Sequence, residues 1–288
     1  MNRDPSLTAL LFPGQGSQTA GMRELVESHR PDLLELVIAE LDADPFERID
    51  DGTRFVQPAI YCASLAAWER SGRPDADVLA GHSLGELTAL AAAGALDHAD
   101  GLRVTIERGR LMQEVAERNP GGGMLALLGD GKAARAIADD HGLPLANDNG
   151  PTQIVVSGPA EALEAATAQA RGRELRAIRL AVAGAFHSPE MEEALGPFRA
   201  VLDAVPVAEP RRPVFCCTSA APFERIREQL ADALVRSVRW RETLLELQAR
   251  GVNRFIEVGP GKALTGMVRR ALDDVEARTL EQTEAMSV

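Results

Sequence analysis

Cysteine is scarce. The three present in 288 residues (Cys62, Cys216 and Cys217) match no zinc or dithiol spacing and cannot build a disulfide framework. An odd count without a signal peptide is what reduced, cytoplasmic thiols would give. Aromatic residues make up only 4%. That excludes the stacking surface of a single-stranded nucleic-acid binder and leaves the core to Ala, Leu and Val. Positive charge is short as well. Thirty-one Lys and Arg face 43 Asp and Glu, for a net charge of −12, and no dense basic run offsets that field, so no nucleic-acid partner is expected. Long apolar runs are missing too. The first, LTALLF, breaks at once into Pro13-Gly14, too short for a signal h-region, and no stretch reaches membrane-spanning length. There is no Walker loop and no clustered His/Cys ligand set, so neither a metal nor a bound cofactor is expected.

What remains is an ordinary globular composition, 45% hydrophobic and 26% charged. Leu7–Phe12 reads as a buried strand, and so does Val78–Ala80, which runs directly into Gly81-His82-Ser83-Leu84-Gly85 and the helix formers of 84–93. Between Gly121 and Gly184 the order is strand (124–128), helix (132–140), two strands (145–147 and 153–157), helix (160–170) and strand (178–182). That is the βαββαβ pattern of a ferredoxin-like unit, with the flanking glycines as hinges. Helices over 189–205, 225–235 and 241–250 and strands over 214–217 and 254–258 follow, and residues 281–288 read as a frayed tail. The expectation is an α/β fold: a large α/β-hydrolase-like body with a parallel sheet (1–120 and 185–288) carrying an inserted ferredoxin-like subdomain (121–184).

Gly81-His82-Ser83-Leu84-Gly85 fits the G-x-S-x-G nucleophile elbow, in which a sharp strand-to-helix turn exposes the serine and the glycines remove clashing Cβ atoms. The bland alternative is a turn with a capping serine. A nucleophilic serine needs a base. Of five histidines, His29, His98 and His141 sit in polar or helical surroundings, and His82 is expected to pack beneath the turn. His187, in Gly184-Ala185-Phe186-His187-Ser188-Pro189, occupies a loop after a strand and can project toward it.

Five separated strings carry a resemblance: FPGQGSQ at 12–18, GHSLGE at 81–86, Arg108-Gly109 with Met112-Gln113, GAFHSPEM at 184–191 and EVGPGKALTGM at 257–267. In this order, over nearly the whole chain, they resemble the malonyl-CoA:acyl carrier protein transacylase family. The likeness is greatest to the free-standing acyltransferases that serve polyketide synthases. The resemblance implies Ser83 as nucleophile, His187 as base, and the backbone N–H groups of Gln15 and Leu84 as oxyanion hole. It also implies the main-chain carbonyl of Arg239 as the group orienting the histidine, and Arg108 as the clamp on a free acyl carboxylate. Phe186 would narrow the pocket in favour of malonyl over methylmalonyl. Asn147, Asn149 and Gln153 match the segment lining the acyl and pantetheine entrance.

The implied reaction is ping-pong transfer from malonyl-CoA to the pantetheine thiol of an acyl carrier protein by a cytoplasmic monomer. Arginines 171, 173 and 176, or Lys262, Arg269 and Arg270, are candidate docking cations. A hydrolase of the same architecture, a malonate decarboxylase subunit and a non-catalytic docking scaffold remain open. The stretches 22–57 and 218–224 look shorter than in the family, and Leu87 stands where an aromatic is common.

Overall fold

The computed structural model describes residues 7–285. Among the described residues ten strands are formed: β1 (Leu7–Phe12), β2 (Val78–Gly81), β3 (Gly122–Leu128), β4 (Leu145–Gly150), β5 (Gln153–Pro159), β6 (Arg176–Arg179), β7 (Val214–Cys216), β8 (Ala221–Pro222), β9 (Val252–Glu257) and β10 (Glu276–Thr279). Six make one sheet in the order β10-β9-β1-β2-β7-β8, parallel except for β8, which runs antiparallel to β7. The other four make an antiparallel sheet in the order β4-β5-β3-β6, the ferredoxin-like arrangement expected from βαββαβ.

Strand residues point alternately to opposite faces, and both sheets use this to reach two cores. In β1, Leu10 and Phe12 enter the core beneath the helices Thr53–Arg70, Gly85–Ala92 and His98–Arg118. Ala9 and Leu11 enter the opposite core, with Trp240, Leu244 and Leu264. In β3, Leu125 and Leu127 pack on the subdomain's own helices with Ile137 and Leu163, while Met124 and Ala126 join the main core. The small sheet is therefore seated on the body by one full face. Its edge strand β4 is stitched there by backbone bonds, Asp148 N–H to the Val238 carbonyl (2.8 Å) and Val238 N–H to the Ala146 carbonyl (2.8 Å).

The helix Thr53–Arg70 is buried almost all round, from Phe55 to Trp68, which places it in the interior and not on the surface. With so few rings available, alanines fill this core: Ala59, Ala63, Ala66, Ala89 and Ala91 all lie in it. Two expectations shift. The strand drawn at 178–182 is Arg176–Arg179: Leu180 N–H still bonds the Met124 carbonyl in register (3.0 Å), and the chain then turns, with Val182 N–H bonding back to the Leu180 carbonyl (2.9 Å). The tail's first part is helical over Leu280–Ala285, packing Leu280 into the core, and 286–288 lie outside the described residues. Among the glycines read as hinges, Gly122 and Gly123 belong to β3.

Candidate active site

β2 ends at Gly81 and the next helix starts at Gly85, leaving three residues for a full reversal of direction. Ser83 takes the strain, at φ 53°, a left-handed conformation that non-glycine residues adopt at a cost of about 1–3 kcal/mol. The flanking glycines are steric necessities. A Cβ on Gly81 would lie 2.0 Å from the Gly85 carbonyl carbon, and one on Gly85 would lie 2.0 Å from the Phe12 carbonyl oxygen. The same close approach presses the Pro13–Gln18 loop onto the elbow, since a Cβ on Gly14 would meet the His82 carbonyl at 2.6 Å.

This contact brings the Gln15 and Leu84 backbones beside Ser83, and among the described residues neither N–H has a hydrogen-bond partner. The C-terminal GPG string supports the loop from behind. Val258 N–H bonds the Leu11 carbonyl (2.8 Å), and Gly261 lies so near the Ser17 carbonyl that a Cβ would reach 2.8 Å. Glu257 accepts from Leu264 N–H (3.0 Å) and Thr265 N–H (2.7 Å), holding the start of the helix Ala263–Ala271.

His187 arrives from the loop after β6, also left-handed at φ 58° and buried. Its loop is pinned by Ser157 Oγ to the Phe186 carbonyl (2.5 Å) and by Ser188 Oγ to the Ala185 carbonyl (2.6 Å). Nε2 lies 2.8 Å from Ser83 Oγ, and Nδ1 lies 2.8 Å from the Ala233 carbonyl oxygen. A carbonyl only accepts, so Nδ1 carries the proton in the neutral ring and Nε2 is left free to receive the serine's. Burial, reinforced by the charge on Arg108, lowers the imidazole to about 3, so it is neutral near pH 7.

The orienting carbonyl is thus that of Ala233, not Arg239. Ala233 directly follows the helix Ile226–Asp232, where the last carbonyls have no helical partner to bond. The Arg239 carbonyl is already occupied at the start of the next helix by Thr243 N–H (2.9 Å) and Thr243 Oγ1 (3.0 Å), while its side chain binds Glu242.

Arg108 lies in the middle of the helix His98–Arg118 and is only 4% exposed. Gly109 lets that helix close on the Thr53–Arg70 helix, because a Cβ there would come within 2.8 Å of the Thr53 carbonyl. The guanidinium donates from Nη1 to Gln57 Oε1 (2.7 Å) and from Nη2 to Ser83 Oγ (3.1 Å). Burial lowers it to about 10, and the nearby Glu86 works against that. Among the described residues no carboxylate forms an ion pair with it. Glu86 is itself buried and accepts the Cys217 N–H at 2.6 Å; burial raises it to about 7.

These groups share one cavity of about 390 Å³. Gln15, Ser83, Leu84, Arg108, Phe186 and His187 line it, and so do Asn147, Asn149 and Gln153. His82 borders the same cavity: its Nε2 meets Asn149 Oδ1 at 2.8 Å, and its ring edge packs on Trp240. His98 is half-buried against Trp68 and takes a hydrogen bond from Arg30 (2.7 Å). Sequence reasoning missed Gln57 and Thr53. Their signal was a polar pair one helical turn apart at the start of a helix that is apolar from Pro58 to Ala63. Among the described residues, no group of three or more His, Cys, Asp or Glu could hold a metal, and no helix is long and apolar enough to cross a membrane.

A neutral imidazole on a strained serine, two free N–H groups and an unpaired buried cation form a site for acyl transfer to and from a hydroxyl. The comparisons with known proteins agree. Residues 9–284 match the acyl transferase domain family. A malonyl CoA-acyl carrier protein transacylase from Synechocystis is 35% identical over 97% of this chain and 99% of its own length. The polyketide biosynthesis protein ThaF from Burkholderia thailandensis is 36% identical, and this chain spans 24% of it. The crystal structure of an acyl-carrier-protein-S-malonyltransferase from Bartonella henselae superposes with a TM-score of 0.89 at 34% identity, covering 97% of this chain and 98% of that one.

Proposed function

The chain belongs to the acyl transferase domain family, and from that premise we propose that it is a malonyl-CoA:acyl carrier protein transacylase serving fatty acid or polyketide assembly. Ser83 Oγ attacks the thioester carbonyl of malonyl-CoA as its proton passes to His187 Nε2. The oxyanion is met by the Gln15 and Leu84 N–H groups. The C–S bond breaks, and the CoA thiolate leaves with the proton from Nε2, so that a malonyl ester stays on Ser83. The pantetheine thiol of the carrier protein then runs the steps in reverse, and Ser83 regains its proton. Donors aimed at an oxyanion of this kind contribute about 2.7–4 kcal/mol each.

The observation that carries this reading is the Arg108 guanidinium, a buried cation 3.1 Å from the nucleophile with which, among the described residues, no carboxylate forms an ion pair. A buried charge is costly until it is paired. The malonyl carboxylate is one methylene from the carbonyl under attack, at the right reach to pair with it through two parallel bonds. An acetyl group offers nothing in its place. Phe186, buried at the cavity wall, is the side chain we assign to excluding an α-methyl branch.

For the acidic carrier, Lys262 and Arg270 are the better placed of the candidate cations. Lys262 precedes the cavity-lining Ala263, and Arg270 bonds the cavity-lining Gln153 (3.4 Å). Arg176 stands on the edge strand of the small sheet, and Arg173 pairs with Asp140. The three cysteines are free and buried, in keeping with a reducing, cytoplasmic setting.

The test is incubation with a panel of acyl-CoAs, followed by intact-mass measurement with and without a carrier protein. Transferase activity gives a malonyl adduct on the chain that moves to the carrier. An adduct lost only to water marks a hydrolase, and no adduct with malonyl-CoA defeats the reading.

A further inference from the structure

Three hydrogen bonds run in one direction from the carboxylate clamp to the oxyanion loop, by way of a threonine hydroxyl. Arg108 Nη1 donates to Gln57 Oε1 (2.7 Å), Gln57 Nε2 to Thr53 Oγ1 (2.8 Å), and Thr53 Oγ1 to Gln15 Oε1 (2.8 Å). From the same guanidinium, Nη2 donates to Ser83 Oγ and ties the clamp to the nucleophile. Thr53 and Gln57 are each only 2% exposed, so these bonds form out of water, where aligned donors polarise one another. The Gln15 end differs, because its loop is half-exposed and turns at Gly16 through a positive φ (98°) that glycine adopts freely. Among the described residues, Thr53 is the one partner of the Gln15 side chain. The hydroxyl performs no capping duty at its own helix start.

We propose that Thr53 is a positioning residue that sets the oxyanion loop in register with Arg108, so that the donors for the reacting carbonyl and the clamp for the distal carboxylate are held at one fixed separation. This rests on the transacylase reading above. Only a group that both donates and accepts can occupy this point. Valine has the same shape without the hydroxyl; it leaves Gln15 Oε1 without its donor and Gln57 Nε2 with only the 3.4 Å contact to Met112 Sδ, whereas serine restores both bonds.

The experiment compares wild type, Thr53→Val and Thr53→Ser for single-turnover acylation by malonyl-CoA and acetyl-CoA, with thermal unfolding of each. Thr53→Val is expected to lower the malonyl acylation rate about 10- to 100-fold, the range that a small misplacement of reacting groups produces. It is also expected to narrow the malonyl-to-acetyl ratio, because the clamp loosens for malonyl alone. Thr53→Ser is expected to recover both the rate and the ratio. Wild-type rates in Thr53→Val overturn the proposal, and so does an equal loss in the valine and serine variants, which would mean that packing and not the hydroxyl matters. A wild-type chain that takes no malonyl at all sinks the transacylase reading and this inference with it. A normal wild-type adduct with an unaffected valine variant sinks this inference alone.

Discussion

The Arg108 guanidinium and the Ser83 hydroxyl, 25 positions apart in the chain, stand 3.1 Å from each other in the cavity. The nucleophile is therefore held between a cation that donates to it and an imidazole that accepts from it. Replacing Arg108 with Ala should cut kcat/KM for malonyl-CoA at least 100-fold while leaving acetyl-CoA within a fewfold of wild type. Equal losses for the two donors would remove the clamp. Ser83→Ala should yield no covalent malonyl adduct by intact mass.

The imidazole's low basicity sets an acid limit for the reaction. A protonated His187 cannot accept from Ser83, so acylation is lost only as pH falls through the folded value of about 3, not through 6.5. Pre-steady-state acylation measured from pH 8 to pH 5 should show no inflection near 6.5. Because the unfolded ring takes its proton first, the same shift makes the fold less stable as pH drops from about 6.5 toward 3.

Glu86 acts with the opposite sign. Its carboxyl is raised from 4.5 to about 7, so the folded chain binds the proton more tightly than the unfolded one, and stability is lost as pH rises between those values. Glu86→Gln keeps an acceptor for the Cys217 N–H and removes the charge. Its thermal midpoint relative to wild type should climb as pH goes from about 4.5 to about 7, and a flat difference would argue against a buried titrating Glu86.

Gly85 admits no side chain. Its Cβ would sit 2.0 Å from the Phe12 carbonyl, backbone against backbone. Gly85→Ala should destabilise by about 1–3 kcal/mol or more, since a main-chain shift is the only relief. Urea unfolding reads it directly. The variant should also acylate slowly, because the loop carrying Gln15 is what moves.

Phe186 is the expected gate for branched donors. Phe186→Ser should improve methylmalonyl-CoA relative to malonyl-CoA by roughly 10- to 200-fold, the worth of one methyl group in a pocket. An unchanged ratio in a competition assay would assign that selectivity elsewhere.

Much of this protein was legible in its amino-acid order. The short apolar run LTALLF closed by Pro13-Gly14, the glycines bracketing Ser83 and the βαββαβ run are local signals. Each follows from the period of a strand, the size of a side chain or the start of a helix, so each could be read in place. Local patterning likewise put Phe186-His187 in a loop after a strand.

What no local pattern held was which backbone group faces the far side of His187. That was decided where a short helix happens to end. The free carbonyl at Ala233 is available because its helix stops there, while the one at Arg239 is consumed by the helix that begins there. The Arg108–Gln57–Thr53–Gln15 chain is also purely tertiary. It exists because Gly109 lets two helices touch, and a contact between residues 51 positions apart leaves no period in a sequence to detect. Side-chain types and turns were set by the order of residues. Partners across the cavity were set by packing, which alone brings distant backbone and side chains within hydrogen-bonding reach.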